Sequence, residues 1–191
     1  MSLRADTRTV AVVSALTAVG AAARIVLGRI ALESPVTIYG VLIKIGLTET
    51  LAFVNGVAFG PIHGFVTGAL VIVISDLFMM PGPWTPFIAG IIGVVGSCGG
   101  LLKILKWIPS RRAMIGSAIL VTFVSELLQN LWLTLSFGVP LAVAMVSGMN
   151  SLIAALVNNL VLFPTVGLRA IQMIRDLIPP IKQRPESPKH T

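Results

Sequence analysis

The stretch Gly60-Pro61-Ile62-His63-Gly64-Phe65-Val66-Thr67-Gly68 opens an apolar run that passes through Ser75-Asp76-Leu77 and stops at Pro81 and Pro83. A second run follows at once, beginning Trp84-Thr85-Pro86-Phe87-Ile88-Ala89-Gly90 and lasting to about residue 107. Pro61 suits a first helical turn, where its missing N–H costs nothing. Pro81 and Pro83 suit a break between helices. A helix rises about 1.5 Å per residue and the hydrocarbon of a bilayer is about 30 Å thick, so roughly 20 apolar residues are needed to cross it. Both runs, about 61–80 and about 85–107, meet that length. The Gly60, Gly64 and Gly68 spacing gives the first of them a smooth face for close helix crossing.

Four more runs flank this pair: about 9–30 and 36–57 before it, about 112–138 and 140–167 after it. Pro35, Pro109 and Pro140 fall between them. The composition agrees, since 55% of the 191 residues are apolar and only 11% are charged, with a mean hydropathy of +0.96. A soluble domain carries about 25% charged residues to cover its water-facing surface. Soluble enzyme, nucleic-acid reader and disordered segment are therefore poor readings. The expected fold is an all-α integral membrane protein, a compact bundle of six transmembrane helices forming one domain over 1–191, located in the cell membrane as a multi-pass protein. No short apolar segment ends in a small-residue cleavage site, so no removable signal peptide is expected. The single cysteine, Cys98, can form no intrachain disulfide.

Placement of the basic residues turns a net charge of +7 into an orientation. With the amino terminus cytoplasmic, the inner side collects Arg4, Arg8, Lys103, Lys106, Arg111, Arg112, Arg169, Arg175, Lys182, Arg184 and Lys189, eleven of the fourteen. Only Arg24, Arg29 and Lys44 remain. Both termini are expected inside, with 178–191 as a short basic cytoplasmic tail. Nucleic acid is not an expected partner; the lipid bilayer is.

Ionisable residues within spans are costly to insert and each marks a candidate site. They are Lys44, Glu49, Asp76 and Glu126, with Asp76 close to the outer surface. Lys44 and Glu49 are five apart and do not share a face. Glu126 is followed three and four residues later by Gln129 and Asn130, one polar patch on one face. Asn150, Asn158 and Asn159 add polarity to the last span. For Glu126, Asn130 and Asn150, in the outer half, ligand contact and helix packing both stand. For Asn158 and Asn159, interhelical hydrogen bonding is the favoured reading. Trp84 and Trp132 fall toward the outer side, where an interfacial belt and stacking on a flat ligand are the alternatives; Trp107, beside Lys106, reads as an inner-boundary anchor.

The first run carries Ala11, Ala15, Ala18 and Ala22 at spacings of four, three and four, with Ser14 beside them. Such a face lets another helix approach closely, either within the bundle or on a partner protein. Catalytic constellations are missing: no nucleophile elbow, no His-Glu-x-x-His, no phosphate loop. The histidines, His63 at a turn and His190 in the tail, supply no credible base. No catalytic residue and no metal ligand is expected, and the chain cannot hydrolyse ATP by itself.

The stretch from Gly60 to Gly90 resembles the substrate-binding S components of energy-coupling factor (ECF) vitamin transporters. In that family a Gly-Pro-x-x-Gly-x-x-x-Gly helix start leads to a Ser-Asp near the helix end, then to a loop with proline and aromatic residues. Length, six spans and cytoplasmic termini agree along nearly the whole chain. The resemblance implies that the first helix docks on a transmembrane coupling subunit through an Ala-x-x-x-Ala-type motif, for which Ala11/Ala15 and Ser14/Ala18 are both candidates. It further implies capture of a vitamin or related micronutrient from outside, two partner ATP-binding subunits that use ATP and Mg, and delivery by toppling of the chain in the membrane. This chain itself would bind no cofactor. Glu126, Asn130, Asn150 and Trp84, with Trp132, would suit a planar ligand bearing hydrogen-bond donors. The alternative is a self-sufficient small permease or channel using Lys44, Glu49 and Glu126 as a relay, which would transport when reconstituted alone.

Overall fold

A computed structural model describes residues 7–33 and 47–177, and every regular element among them is helical. The elements are α1 (Thr7–Glu33), α2 (Leu47–Phe59), α3 (Pro61–Met79), α4 (Thr85–Ile104), α5 (Arg111–Phe137), α6 (Leu141–Ser147), α7 (Met149–Leu162) and α8 (Leu168–Leu177). A π-helical turn, Phe163–Gly167, joins the last two. Among the described residues, five stretches are long and apolar enough to cross a membrane: Thr7–Leu27, Pro61–Met79, Thr85–Ile104, Arg111–Phe137 and Met149–Leu177. Large apolar side chains such as Val19, Phe78, Leu120 and Val157 stand on the outside of the bundle, a surface that lipid solvates and water does not. The chain is a membrane-embedded helical protein.

Two expected spans differ in the structure. The second, about 36–57, falls partly outside the described residues; its described part is the 13-residue α2, about 20 Å long. Lys44, Arg4 and the tail 178–191 also lie outside the described residues. The sixth, about 140–167, starts and ends elsewhere. The segment after Pro140 forms the seven-residue α6, and Gly148 separates it from the helix that crosses. That helix then runs past 167 to Leu177. Pro164 does not end it, because the wider π turn absorbs the missing N–H and the ring clash that proline brings to an α-helix. Ile171 and Ile174, beyond the turn, bury against a core of Phe53, Met114, Val121 and Phe163. That burial is the gain that extends the helix.

The remaining boundaries have local causes. Gly60, at φ 112°, adopts a backbone that residues with a Cβ rarely reach, and so lets α2 turn directly into α3. Ser110 caps α5 by accepting from the Ala113 N–H at 3.2 Å, and Gly138, at φ 67°, closes its other end in the left-handed region.

Packing is tightest where α3 and α4 cross. A Cβ added to Gly64 would lie 2.5 Å from the Gly96 carbonyl carbon and 2.8 Å from the Gly56 Cα. One added to Gly68 would lie 2.7 Å from the Ile92 carbonyl carbon. The glycine face expected from sequence therefore exists at Gly64 and Gly68, meeting backbone on α4. Gly60 contributes its conformation instead, since nothing lies within 4 Å of its would-be Cβ.

Candidate functional site

Half-way along α5, Thr122, Ser125, Glu126 and Asn130 point into the bundle and are buried. Positions 122, 126 and 130 repeat every four residues and so form one inward stripe. In lipid a buried polar group must find its partner inside the protein. Here the partners come from α2 and α7. Ser125 Oγ donates to Glu49 Oε1 at 3.2 Å, and the Asn159 carboxamide nitrogen donates to Glu49 Oε2 and to Thr122 Oγ1 at 2.9 Å. Thr122 in turn donates to the Ala118 carbonyl at 2.7 Å. Asn159 is fully buried, and Glu49 keeps part of its surface open. One step along α5, Ser151 of α7 donates to Glu126 Oε1 at 3.2 Å. Two carboxylates, three hydroxyls and two carboxamides thus share one interior region, a set suited to holding a polar ligand by hydrogen bonds and charge.

A second polar cluster ties α1 to α3 and α4. Arg24 Nη1 donates to Asp76 Oδ1 and to Ser75 Oγ, both at 2.5 Å. Ser75 is free to accept because its own proton is directed at the Val71 and Ile72 carbonyls, 2.7 and 3.0 Å away. Thr85 Oγ1 donates to Asp76 Oδ2 at 2.7 Å and accepts from the Gly82 N–H at 3.1 Å. The Asp76 side chain is 4% exposed and that of Arg24 is 29% exposed. A carboxylate this buried is tolerable because both oxygens are used. The α3–α4 connection carrying Trp84 is held by the same hydroxyl.

The residues singled out in the sequence do not all converge. Glu126 and Asn130 lie together in the polar interior, 6% and 8% exposed, and the Asn130 carboxamide packs against Gly148, where a Cβ would lie 3.0 Å from its Oδ1. Asn150 is exposed, and its neighbour Ser151 is the residue that reaches Glu126. Trp84 is exposed, its ring lying over Gly82. Trp132 sits between Phe87 and Phe137, with ring centroids 5.5 Å away in each case. Its indole N–H is buried without an acceptor. Trp107 packs edge-on against Phe53 at 6.3 Å. On α1, Ala11, Ser14, Ala15, Ala18 and Ala22 are all exposed, while Thr17, Gly20 and Ala21 face the bundle.

The partners of these groups are not evident from the sequence. Glu49, a candidate as an in-span charge and a relay residue, proves to join α2 to α5 and α7. Arg24, one of the three basic residues off the inner side, pairs with Asp76; an Arg and an Asp in neighbouring spans are a signal for such pairing. Ser151 and Thr122 are common residues whose role appears only once the helices are packed. Asn159 does hydrogen-bond between helices, as its position suggested. Among the described residues no group of three or more His, Cys, Asp or Glu is placed to hold a metal ion.

Comparison with protein-family models, with curated proteins and with solved structures finds no match to this chain.

Proposed function

We propose that this chain is the substrate-specific binding subunit of an ECF-type transporter, importing a vitamin or related micronutrient across the cell membrane. It captures the compound outside, with both termini cytoplasmic, and partner ATPases drive the movement that delivers it. The observation that carries the reading is the outward small-residue face of α1. Ala11, Ser14, Ala15, Ala18 and Ala22 are exposed, so packing among the described residues does not account for the stripe. A helix with a smooth face turned away from its own bundle is suited to close contact with another membrane helix. The opposite face of the same helix is held by Gly20 against Val71, at 3.0 Å for an added Cβ, and by Arg24 on Asp76.

Glu49, Glu126, Asn130 and Asn159 supply recognition in the interior, and ATP and Mg are used by the two ATP-binding partners. The test is affinity purification of the tagged chain from its host in mild detergent, with wild type compared against Ala15→Trp and Ala18→Trp. A coupling membrane subunit and nucleotide-binding subunits should accompany wild type and be lost from at least one variant, while both variants keep their helical content. Assembly and normal uptake by both variants overturn the docking assignment. Uptake by the chain reconstituted alone would overturn the subunit reading in favour of a self-sufficient permease.

A further inference from the structure

Lys103, in the last turn of α4, and Arg175, in the last turn of α8, bring like charge to one point at an end of the bundle. Packing puts them there. Ile171 and Ile174 of α8 share a core with Phe53, and Leu102 and Trp107 pack against that same core. Lys103 Nζ donates to the Ala58 carbonyl, in the last turn of α2, at 2.5 Å. The Arg175 guanidinium stands close enough to repel that ammonium. Both residues are exposed. Among the described residues no carboxylate forms an ion pair with either of them; Asp176, next to Arg175, points about 100° round α8 from it. Two like charges held together are unfavourable unless an anion stands with them. Orientation in the membrane asks only that basic residues stand on one side. It does not ask two of them, from separate helices, to meet.

The surroundings say which anion fits. Leu101, Ile104 and Leu105 beside Lys103, and Met173 and Leu177 beside Arg175, are exposed apolar side chains. Water or a small ion would leave that rim bare, whereas a lipid offers an anionic head and apolar tails in one molecule. The end of α4 adds a third cation against backbone preference. Lys106, at φ 55°, takes the left-handed position that closes a helix and usually falls to glycine. Its N–H donates to the Lys103 carbonyl and that of Trp107 to the Leu102 carbonyl, each at 3.0 Å.

We propose that Lys103 and Arg175 form a binding site for the phosphate of an anionic membrane lipid, whose acyl chains lie against the ends of α4 and α8. With one proton on Ala58, the Lys103 ammonium keeps two to offer, and the Arg175 guanidinium presents its planar fork. A phosphate between them turns one repulsion into two attractions. The site is independent of the transport reading.

Native mass spectrometry tests it, on the full chain in detergent offered equal amounts of phosphatidylglycerol and phosphatidylcholine with the same acyl chains. Each cation near a bilayer surface strengthens binding of an anionic lipid about fivefold, so phosphatidylglycerol should be retained at least about fivefold over phosphatidylcholine. The double variant Lys103→Gln/Arg175→Gln should bring the ratio close to unity. Arg8→Gln/Arg169→Gln removes equal charge from exposed positions outside the pair and should leave the ratio unchanged. A wild-type ratio near unity overturns the site, and so does an equal fall in the two double variants, which would mean general attraction. Inorganic phosphate or a pentaglutamate peptide at the lipid's concentration should displace no lipid. Displacement by phosphate would make the ligand a free anion, and displacement by the peptide an acidic protein segment; either result overturns the lipid assignment. If the double variant fails to fold, Arg175→Gln alone decides, because Ile171 and Ile174 still dock α8; it should lower the ratio, and an unchanged ratio overturns the site.

Discussion

Replacing Gly64 with alanine adds one methyl group at the point where three helices come closest. The new Cβ would sit 2.5 Å from the Gly96 carbonyl carbon and 2.8 Å from the Gly56 Cα. Both neighbours are backbone, so no rotamer change relieves the overlap. Ordinary contact needs about 3.5–4.0 Å, which means α3 and α4 must part by roughly 1 Å along their crossing. Overpacking of a tight interior costs about 1–3 kcal/mol, and separating the helices forfeits dispersion along the rest of the contact as well. Gly90 supplies the matched control: it lies within α4 and nothing stands within 4 Å of its would-be Cβ. There alanine meets no obstacle and gains about 0.5–1 kcal/mol of helix propensity. Thermal unfolding of the two variants in one detergent should therefore move in opposite directions, Gly64→Ala down and Gly90→Ala level or up. Equal midpoints for the two would refute the claim that backbone contact through glycine holds α3 on α4.

Three other perturbations follow from the same geometry. Removing one partner of a buried ion pair costs about 3–5 kcal/mol; with Arg24 partly exposed, Asp76→Asn and Arg24→Gln should each cost somewhat less, and a double-mutant cycle by unfolding should give clear coupling, where additive effects would contradict the pairing. Ile171→Ala should destabilise by about 2–5 kcal/mol through the cavity it leaves, measured by the same unfolding assay, because Ile171 is 1% exposed in the core that extends α8; a change below about 0.5 kcal/mol would mean α8 is not docked. Ser151→Ala should weaken binding of the copurifying ligand while Asn150→Ala leaves it unchanged, since Ser151 donates to Glu126 and Asn150 is exposed.

The spans flanking the α3–α4 turn were legible because lipid demands long apolar runs, and proline punctuates them where few other residues would. Pro164 was the exception: whether a proline ends a helix or widens one turn depends on what lies beyond, and Ile171 and Ile174 gain a core only in three dimensions. Glu126 and Asn130 were legible as a pair because positions four apart share a helix face whatever the tertiary fold. Asn150 and Ser151, adjacent in sequence, point about 100° apart on a helix, and no local pattern says which turns inward. The links from Arg24 to Asp76, and from Glu49 to Asn159, join residues 52 and 110 positions apart. Such links are set by which helices become neighbours. Charge in a span announces that a partner exists and does not name it.

Mass spectrometry of small molecules retained by the purified chain tests the central claim, capture of a micronutrient in the polar interior, most directly. Wild type should carry one compound of vitamin-like size in near-stoichiometric amount, and Glu49→Gln and Glu126→Gln proteins of unchanged helical content should carry markedly less. A wild-type protein that retains no such compound, or variants that retain it undiminished, would contradict the account.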